Sequence, residues 1–188
     1  MMKRFWISAF ALAVVACSQS NTAPSSTASN GPEDTSAAES TASTEVAESS
    51  GGDGAEPTSE LAAIEQQILE QINQYREEQG LTALRLDEAI QQQAQQHSSA
   101  MAQGTTPVSH QGFDDRVEAI AKSIDYRSAA ENVAYNEGYS SPGEQAVQGW
   151  LDSPGHLENI QGDYTLTGIG VAQDGQAYYF TQIFIKTP

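Results

Sequence analysis

Apolar residues recur at steps of three and four through the middle of this chain and at steps of two near its end. Leu61, Ile64, Ile68, Ile72 and Tyr75 mark one face of a helix with a Gln/Glu outer face. Thr58 or Ser59 is its expected N-cap and Gly80 its stop. A second stripe runs Leu86, Ile90, Ala94, His97 and Met101, starting at Asp87 and ending near Gly104. It puts His97 on the core side, as a hydrogen-bonded packing residue rather than a ligand. Residues 114–122 and 141–151 predict two shorter helices. In the second, Ser141 caps, Pro142 fits the first turn, and Val147, Trp150 and Leu151 are buried. At residue 166 the period changes. Residues 166–172 alternate large and small, Asp174-Gly175 offers a two-residue type I′ turn, and residues 176–185 are rich in Tyr, Phe, Thr and Ile. This pattern is a β-hairpin. Gly168, Gly170 and Ala172 share one face of its first strand, where a helix can come close. Helices over a mainly antiparallel sheet give an α+β class.

The N-terminal third carries no such pattern. Lys3 and Arg4 precede an apolar run over residues 5–15 that small residues close at Cys17. That run is shorter than the roughly 20 residues of a spanning helix, so residues 1–16 read as a cleaved leader. Cys17, the only cysteine, resembles the lipobox cysteine of bacterial lipoproteins, which is acylated and becomes the mature N-terminus. A membrane partner through a lipid on Cys17 follows from that resemblance. Residues 17–58 then read as the lipidated cysteine and a tether. Residues 18–58 hold seven acidic side chains, no basic one and one large aliphatic residue, Val46, too little to form a core. As a flexible coil they reach roughly 35 Å. Residues 59–188 are sized for a single core, with no repeat of fixed period.

Charge narrows the partners. The net charge of -17 comes from 25 acidic against 8 basic residues, and residues 59–188 keep 18 acidic and 6 basic ones. Phosphate backbones and anionic head groups are repelled, so nucleic acid is not an expected partner. A monomer is expected, since nothing signals a coiled coil.

Three segments carry candidate chemistry: Ser109-His110, Ala130-Glu131-Asn132, and residues 150–160, which include Trp150, Ser153, Pro154, Gly155, His156 and Asn159. All are expected on loops and helix ends. Each segment offers one metal-capable or proton-transferring side chain. The alternative function is a hydrolase or protease, in which Glu131 or a histidine activates metal-bound water, or Ser109 or Ser153 is a nucleophile with His156 as its base, although neither serine lies in a Gly-x-Ser-x-Gly elbow. The same residues have a structural reading. Ser153-Pro154-Gly155 is turn chemistry with Ser153 as cap of a short helix begun by His156. Glu131 would then serve backbone donors, Asn73, Arg76 or a buried His110, while Asn132 and Asn159 bond nearby backbone. Trp150, Tyr164, Tyr178 and Phe184 read as core or cleft wall, and residues 91–96 as a solvated glutamine face.

Taken in order, Asn73-x-x-Arg76, residues 97–101, Ser109-His110, Arg116, Glu131-Asn132, residues 150–160, Gly168-Ile169-Gly170 and residues 179–184 resemble the bacterial branch of the CAP superfamily. The superfamily is named for cysteine-rich secretory proteins, antigen 5 and pathogenesis-related proteins. The resemblance covers nearly all of residues 61–185. It implies a three-layer α-β-α sandwich, a cleft between helices and sheet, and secretion. The family's cleft gathers two histidines and two acidic residues. Matching motifs puts His110, Glu131 and His156 on three of these positions as metal ligands, two imidazoles and a carboxylate that with a water would suit Zn²⁺ or a similar divalent ion, with Glu131 as the catalytic group if there is one. The fourth position falls near Ser153, which cannot carry a glutamate's charge. Ser153, Asn132 and Trp150 are the expected cleft residues. Some members bind sterols and lipids, so a small apolar or peptide-like ligand is expected, in a lipid-anchored protein of the cell envelope. If the source has an outer membrane, that is the expected one, because Ser18 is not the aspartate that resembles an inner-membrane retention signal. A structural envelope module is the remaining alternative.

Overall fold

The structure, a computed structural model, describes residues 57–188. The leader, Cys17 and nearly all of the tether lie outside the described residues. The elements run α1 (Pro57–Glu78), β1 (Arg85–Leu86), α2 (Glu88–Ala102), α3 (Phe113–Ile120), β2 (Ser128–Glu137), α4 (Pro142–Leu151), α5 (Pro154–Gln161), β3 (Leu166–Asp174) and β4 (Ala177–Lys186). The four strands lie in the order β1-β3-β4-β2, with β1 parallel to β3 and the other pairs antiparallel.

Alternation along the strands builds two cores. Ile169, Val171, Phe180 and Phe184 point to one face and pack with Ile68 and Ile72 of α1, Trp150 of α4 and Ile160 of α5. Leu166, Ile183 and Ile185 point to the other and meet Ile90 and Ala94 of α2 and Ile120 of α3. Helices thus cover both faces of the sheet, the α-β-α sandwich that the resemblance implies.

Several local expectations shift. Helix α1 begins at Pro57, ahead of Thr58 and Ser59. It ends as expected at Gly80, at φ 74, in a Schellman arrangement: Leu81 N–H donates to Arg76 O at 2.8 Å and Gly80 N–H to Glu77 O at 2.9 Å. Leu86 is 44% exposed and lies on β1, not on the helical stripe, because Asp87 is the N-cap of α2 and accepts from Ala89 and Ile90 N–H. Ser141 and Ser153 occupy the N-cap positions of α4 and α5 without a side-chain cap bond, and α5 starts at Pro154, before His156. Since Asp174 pairs with Ala177, the hairpin loop is Gly175-Gln176, one residue later than expected, with Gly175 at φ 60. Gln95 is not simply solvated. Its amide donates to Val171 O and accepts from Val171 N–H, closing the outer edge of β3 with help from Glu65.

No cysteine occurs among the described residues, and buried arginines bind distant segments instead. Arg76, 2% exposed, donates to the carbonyls of Thr82, Ile160, Gly162 and Tyr164. It fastens α1 to the turn between α5 and β3. This corrects the expectation that Arg76 meets Glu131. Asn73 instead bonds the backbone of Leu84 through both its amide groups.

Candidate functional site

The edge strand β2 is the axis of the site. Its sequence lacks the large-and-small alternation of a strand, so Glu131 and Asn132 were expected on a loop. They stand mid-strand, paired with Ile183 and Gln182, and consecutive residues there face opposite sides of the sheet.

Glu131 turns toward α2 and α3, with a side chain only 1% exposed. A bare carboxylate there would be costly, and Arg116 of α3 neutralises it bidentately. Arg116 Nε donates to Oε2 and Nη2 to Oε1, each at 2.8 Å. Nη1 donates to Gln111 O at 2.9 Å and to His97 Nδ1 at 3.2 Å. Because a guanidinium only donates, His97 accepts at Nδ1, carries its hydrogen on Nε2, and donates it to Ser109 O at 2.8 Å. His97 is therefore the hydrogen-bonded packing residue its stripe predicts, and it holds the loop that presents the next residue. That residue, His110, donates from Nδ1 to Glu131 Oε1 at 2.9 Å.

Asn132 turns to the opposite side and is fully buried under α5. Its Nδ2 donates to His156 O at 3.2 Å, while Asn159 Nδ2 donates to Asn132 Oδ1 and to Glu131 O. It positions the backbone of His156 and does not line the cleft, a correction to its expected role. The His156 ring returns over the edge of β2 toward His110, with centroids 6.5 Å apart and planes at 46°. The three predicted residues therefore do converge, although both Glu131 oxygens are occupied by Arg116 and His110. Among the described residues no set of three His, Cys, Asp or Glu side chains is arranged to hold a metal ion. No hydrogen bond joins His156 to Ser153 or Ser109. Ser109 Oγ donates to Pro107 O and accepts from Gln111 N–H.

From His156 an open cleft of about 490 Å³ runs along the edge of β2. Its walls are Tyr135, Asn136, Glu137 and Tyr139 on one side, with Gln145, Gly149 and Ser153 on the other. Trp150 is the floor. It is 1% exposed, with its indole N–H donating to Val133 O, so it closes the bottom of the cleft and has no free donor. Buried His156 Nδ1 and Asn136 Oδ1 have no partner among the described residues. Tyr135 and Tyr139, about half exposed, were absent from the sequence-derived site, as was the role of Arg116. The signal for Arg116 was its place beside Val117 on the apolar stripe Phe113, Val117 and Ile120. An arginine there needs a buried carboxylate.

Two histidines are expected to make the fold pH-sensitive. Burial lowers the affinity of His97 for a proton, and Arg116 lowers it further against the bond to Ser109 O. Burial and then His110 do the same for His156. Both groups bind protons more weakly folded than unfolded, where the value is about 6.5. Stability is thus full above that value and falls as pH drops below it. The urea midpoint is expected to fall between pH 7.5 and pH 5, and less so in His97→Gln. Equal falls in both proteins would remove His97 from the account.

Comparisons with known proteins agree with this architecture. The profile of the cysteine-rich secretory protein family, CAP, matches residues 69–184. Two proteins of Bacillus subtilis are similar. The uncharacterized membrane protein YlbC is 35% identical over 127 residues, covering 65% of this chain and 34% of that protein. The uncharacterized protein YkwD is 33% identical over 135 residues, covering 68% and 49%. The chain thus spans between a third and a half of these relatives. Among solved structures, an extracellular SCP-domain protein from Bacillus anthracis aligns with a TM-score of 0.60 and 29% identity, over 69% of this chain and 42% of that one. An outer surface protein from Borrelia burgdorferi aligns with a TM-score of 0.58 over 67% of this chain and 94% of that one, and its 19% identity speaks to fold alone.

Proposed function

Since the chain belongs to the cysteine-rich secretory protein (CAP) family, we propose that it is an extracytoplasmic binding module of the cell envelope whose cleft takes a small apolar or peptide-like ligand. The observation that carries this reading is the cleft beside β2, floored by Trp150 and walled by Tyr135 and Tyr139, with buried polar atoms lacking partners. Apolar walls with a few fixed polar groups are the usual make-up of a small-ligand site. Relatives described as a membrane protein and as an extracellular protein fit an envelope location. The anchor at Cys17 completes it, and its test is whether Cys17→Ser moves the protein out of the membrane fraction.

A cleft-filling variant tests the binding reading. Gly149 lies on α4 at the cleft, and a Cβ added there meets nothing within 4 Å. Gly149→Leu is expected to keep or raise the melting temperature, since it removes a helix-interior glycine costing about 1 kcal/mol. It is also expected to weaken binding of the apolar fluorophore N-phenyl-1-naphthylamine at least tenfold. Unchanged fluorophore binding would remove the cleft as the site.

Zn²⁺ is a second reading, favoured by two neighbouring imidazoles and by the burial that lowers the proton affinity of His156. His110 and His156 would be its protein ligands, two short of a closed tetrahedral site, which makes weak binding the expectation. Calorimetry with Zn²⁺ on wild type and His156→Ala decides it, and equal binding in both would end it. Catalysis through Glu131 has less support, because Arg116 holds that carboxylate as an ion pair.

A further inference from the structure

We propose that the open end of β2, Tyr135 to Glu137, pairs with an extended basic segment of a partner protein, which adds as a short fifth strand along the cleft. The proposal rests on the cleft reading above and names its ligand class.

The register fixes which backbone groups are available. In an antiparallel pair, alternate residues turn both N–H and C=O to the neighbour and the residues between them turn both away. The outward carbonyls of β2 are identified by what reaches them from outside the sheet. Asn159 donates to Glu131 O and Trp150 to Val133 O. Odd-numbered residues therefore face outward, and Gly138 N–H bonding to Gln176 O continues the inward, even-numbered set. Helix α4 continues alongside β2 to Asn136, whose Nδ2 donates to Pro142 O, but beyond Val133 neither helix bonds an outward backbone group of the strand. Tyr135 and Glu137, the next outward residues, take no backbone bond among the described residues. Their two N–H and two C=O groups, spaced about 6.8 Å apart along the strand, form a template for one short strand.

The side chains choose the occupant. The partnerless Asn136 Oδ1 is an acceptor, since its Nδ2 is committed to Pro142 O at 2.8 Å, and Asn136 is only 8% exposed. Glu137 adds a carboxylate that accepts from Tyr135 Oη through Oε2 alone. No lysine or arginine lines the cleft. A ligand residue opposite Asn136 would point its side chain into the groove beside α4, where a donor is wanted. Its neighbours would lie beside Tyr135 and Glu137, where aliphatic stems and positive charge are wanted. A lysine- or arginine-bearing extended segment meets both needs, whereas an acidic or purely apolar one meets neither.

The test is a titration of the full chain with a capped pentapeptide of alternating lysine and threonine, followed by fluorescence anisotropy. Two further versions carry N-methyl groups on one or the other alternating set of backbone nitrogens. Saturable binding is expected, with one methylated set weakened at least tenfold and the other nearly unaffected, because only alternate amides face the edge. Tyr135→Pro, which removes one outward N–H at an edge position that tolerates proline, is expected to weaken binding similarly. A glutamate-threonine pentapeptide should not bind. Binding indifferent to methylation overturns strand pairing, and if Gly149→Leu still blocks that binding, the cleft reading survives alone. Methylation-sensitive binding unaffected by Gly149→Leu keeps the strand and discards the cleft. No binding of the lysine peptide, or a protein dimer through this edge that the peptide does not dissociate, overturns the proposal.

Discussion

Arg116→Met is expected to cost about 3–5 kcal/mol of folding stability, the range for removing one partner of a buried ion pair. Natural domains have only about 5–15 kcal/mol in total, so the variant should be marginal at 37 °C. The reason is the surroundings of Glu131, whose side chain is 1% exposed and whose neutralising group is Arg116. The loss also strips Gln111 O and His97 Nδ1 of a donor. Urea midpoints at constant m-value measure the effect. Arg116→Met combined with Glu131→Leu should recover at least half of the loss, because it removes the stranded charge together with its partner. A single-variant loss below about 1 kcal/mol, or no recovery in the double variant, would show that the pair is not what holds α3 against the sheet.

Gly168→Ala and Gly170→Ala are expected to be comparably severe. An added Cβ at Gly168 would overlap the backbone of Ile90 and Gln91, and one at Gly170 the backbone of Ala94 and Gln95. A backbone cannot swing aside as a side-chain tip does, so α2 must lift off β3. Overpacking usually costs about 1–3 kcal/mol, and these sites belong at or beyond the top of that range. The double variant should not fold, which circular dichroism and a thermal melt would show. Gly149→Ala is the matched control and should be neutral or stabilising. Two single losses under about 1 kcal/mol would mean that α2 sits on the sheet less closely than described. The damage should reach the site, since α2 carries His97 and His97 holds the His110 loop.

The helices and the hairpin were legible because their signals are local. A three-four stripe from Leu61 to Tyr75, or a change of period at Leu166, needs nothing beyond neighbouring residues. Strand β2 was not legible for the opposite reason. Its buried positions are Glu131, Asn132, Val133 and Asn136, three of the four polar, and the side-chain partners of Glu131 and Asn132 lie 15 or more residues away in the chain. A pattern rule that equates buried with apolar passes over such a strand. The site divides in the same way. His110, Glu131 and His156 were found by resemblance of motifs, and they do meet. Arg116 as the counter-ion of Glu131, Asn132 as a support rather than a wall, and the tyrosine-lined extension of the cleft all depend on which face each strand residue takes. That parity is set by a register no single segment encodes.

The position of the site on an edge strand separates its fixed parts from its replaceable ones. Glu131, Arg116, His97 and Asn132 are interior, and each is bound into the packing on one side of the sheet or the other. Tyr135, Glu137, Tyr139 and Gly149 lie on the surface a few residues further along, where substitutions usually change stability by less than about 0.5 kcal/mol. Selection can therefore rewrite this surface of the domain at little risk to its folding. A library randomised at those four surface positions would start from a scaffold that tolerates nearly all of its members.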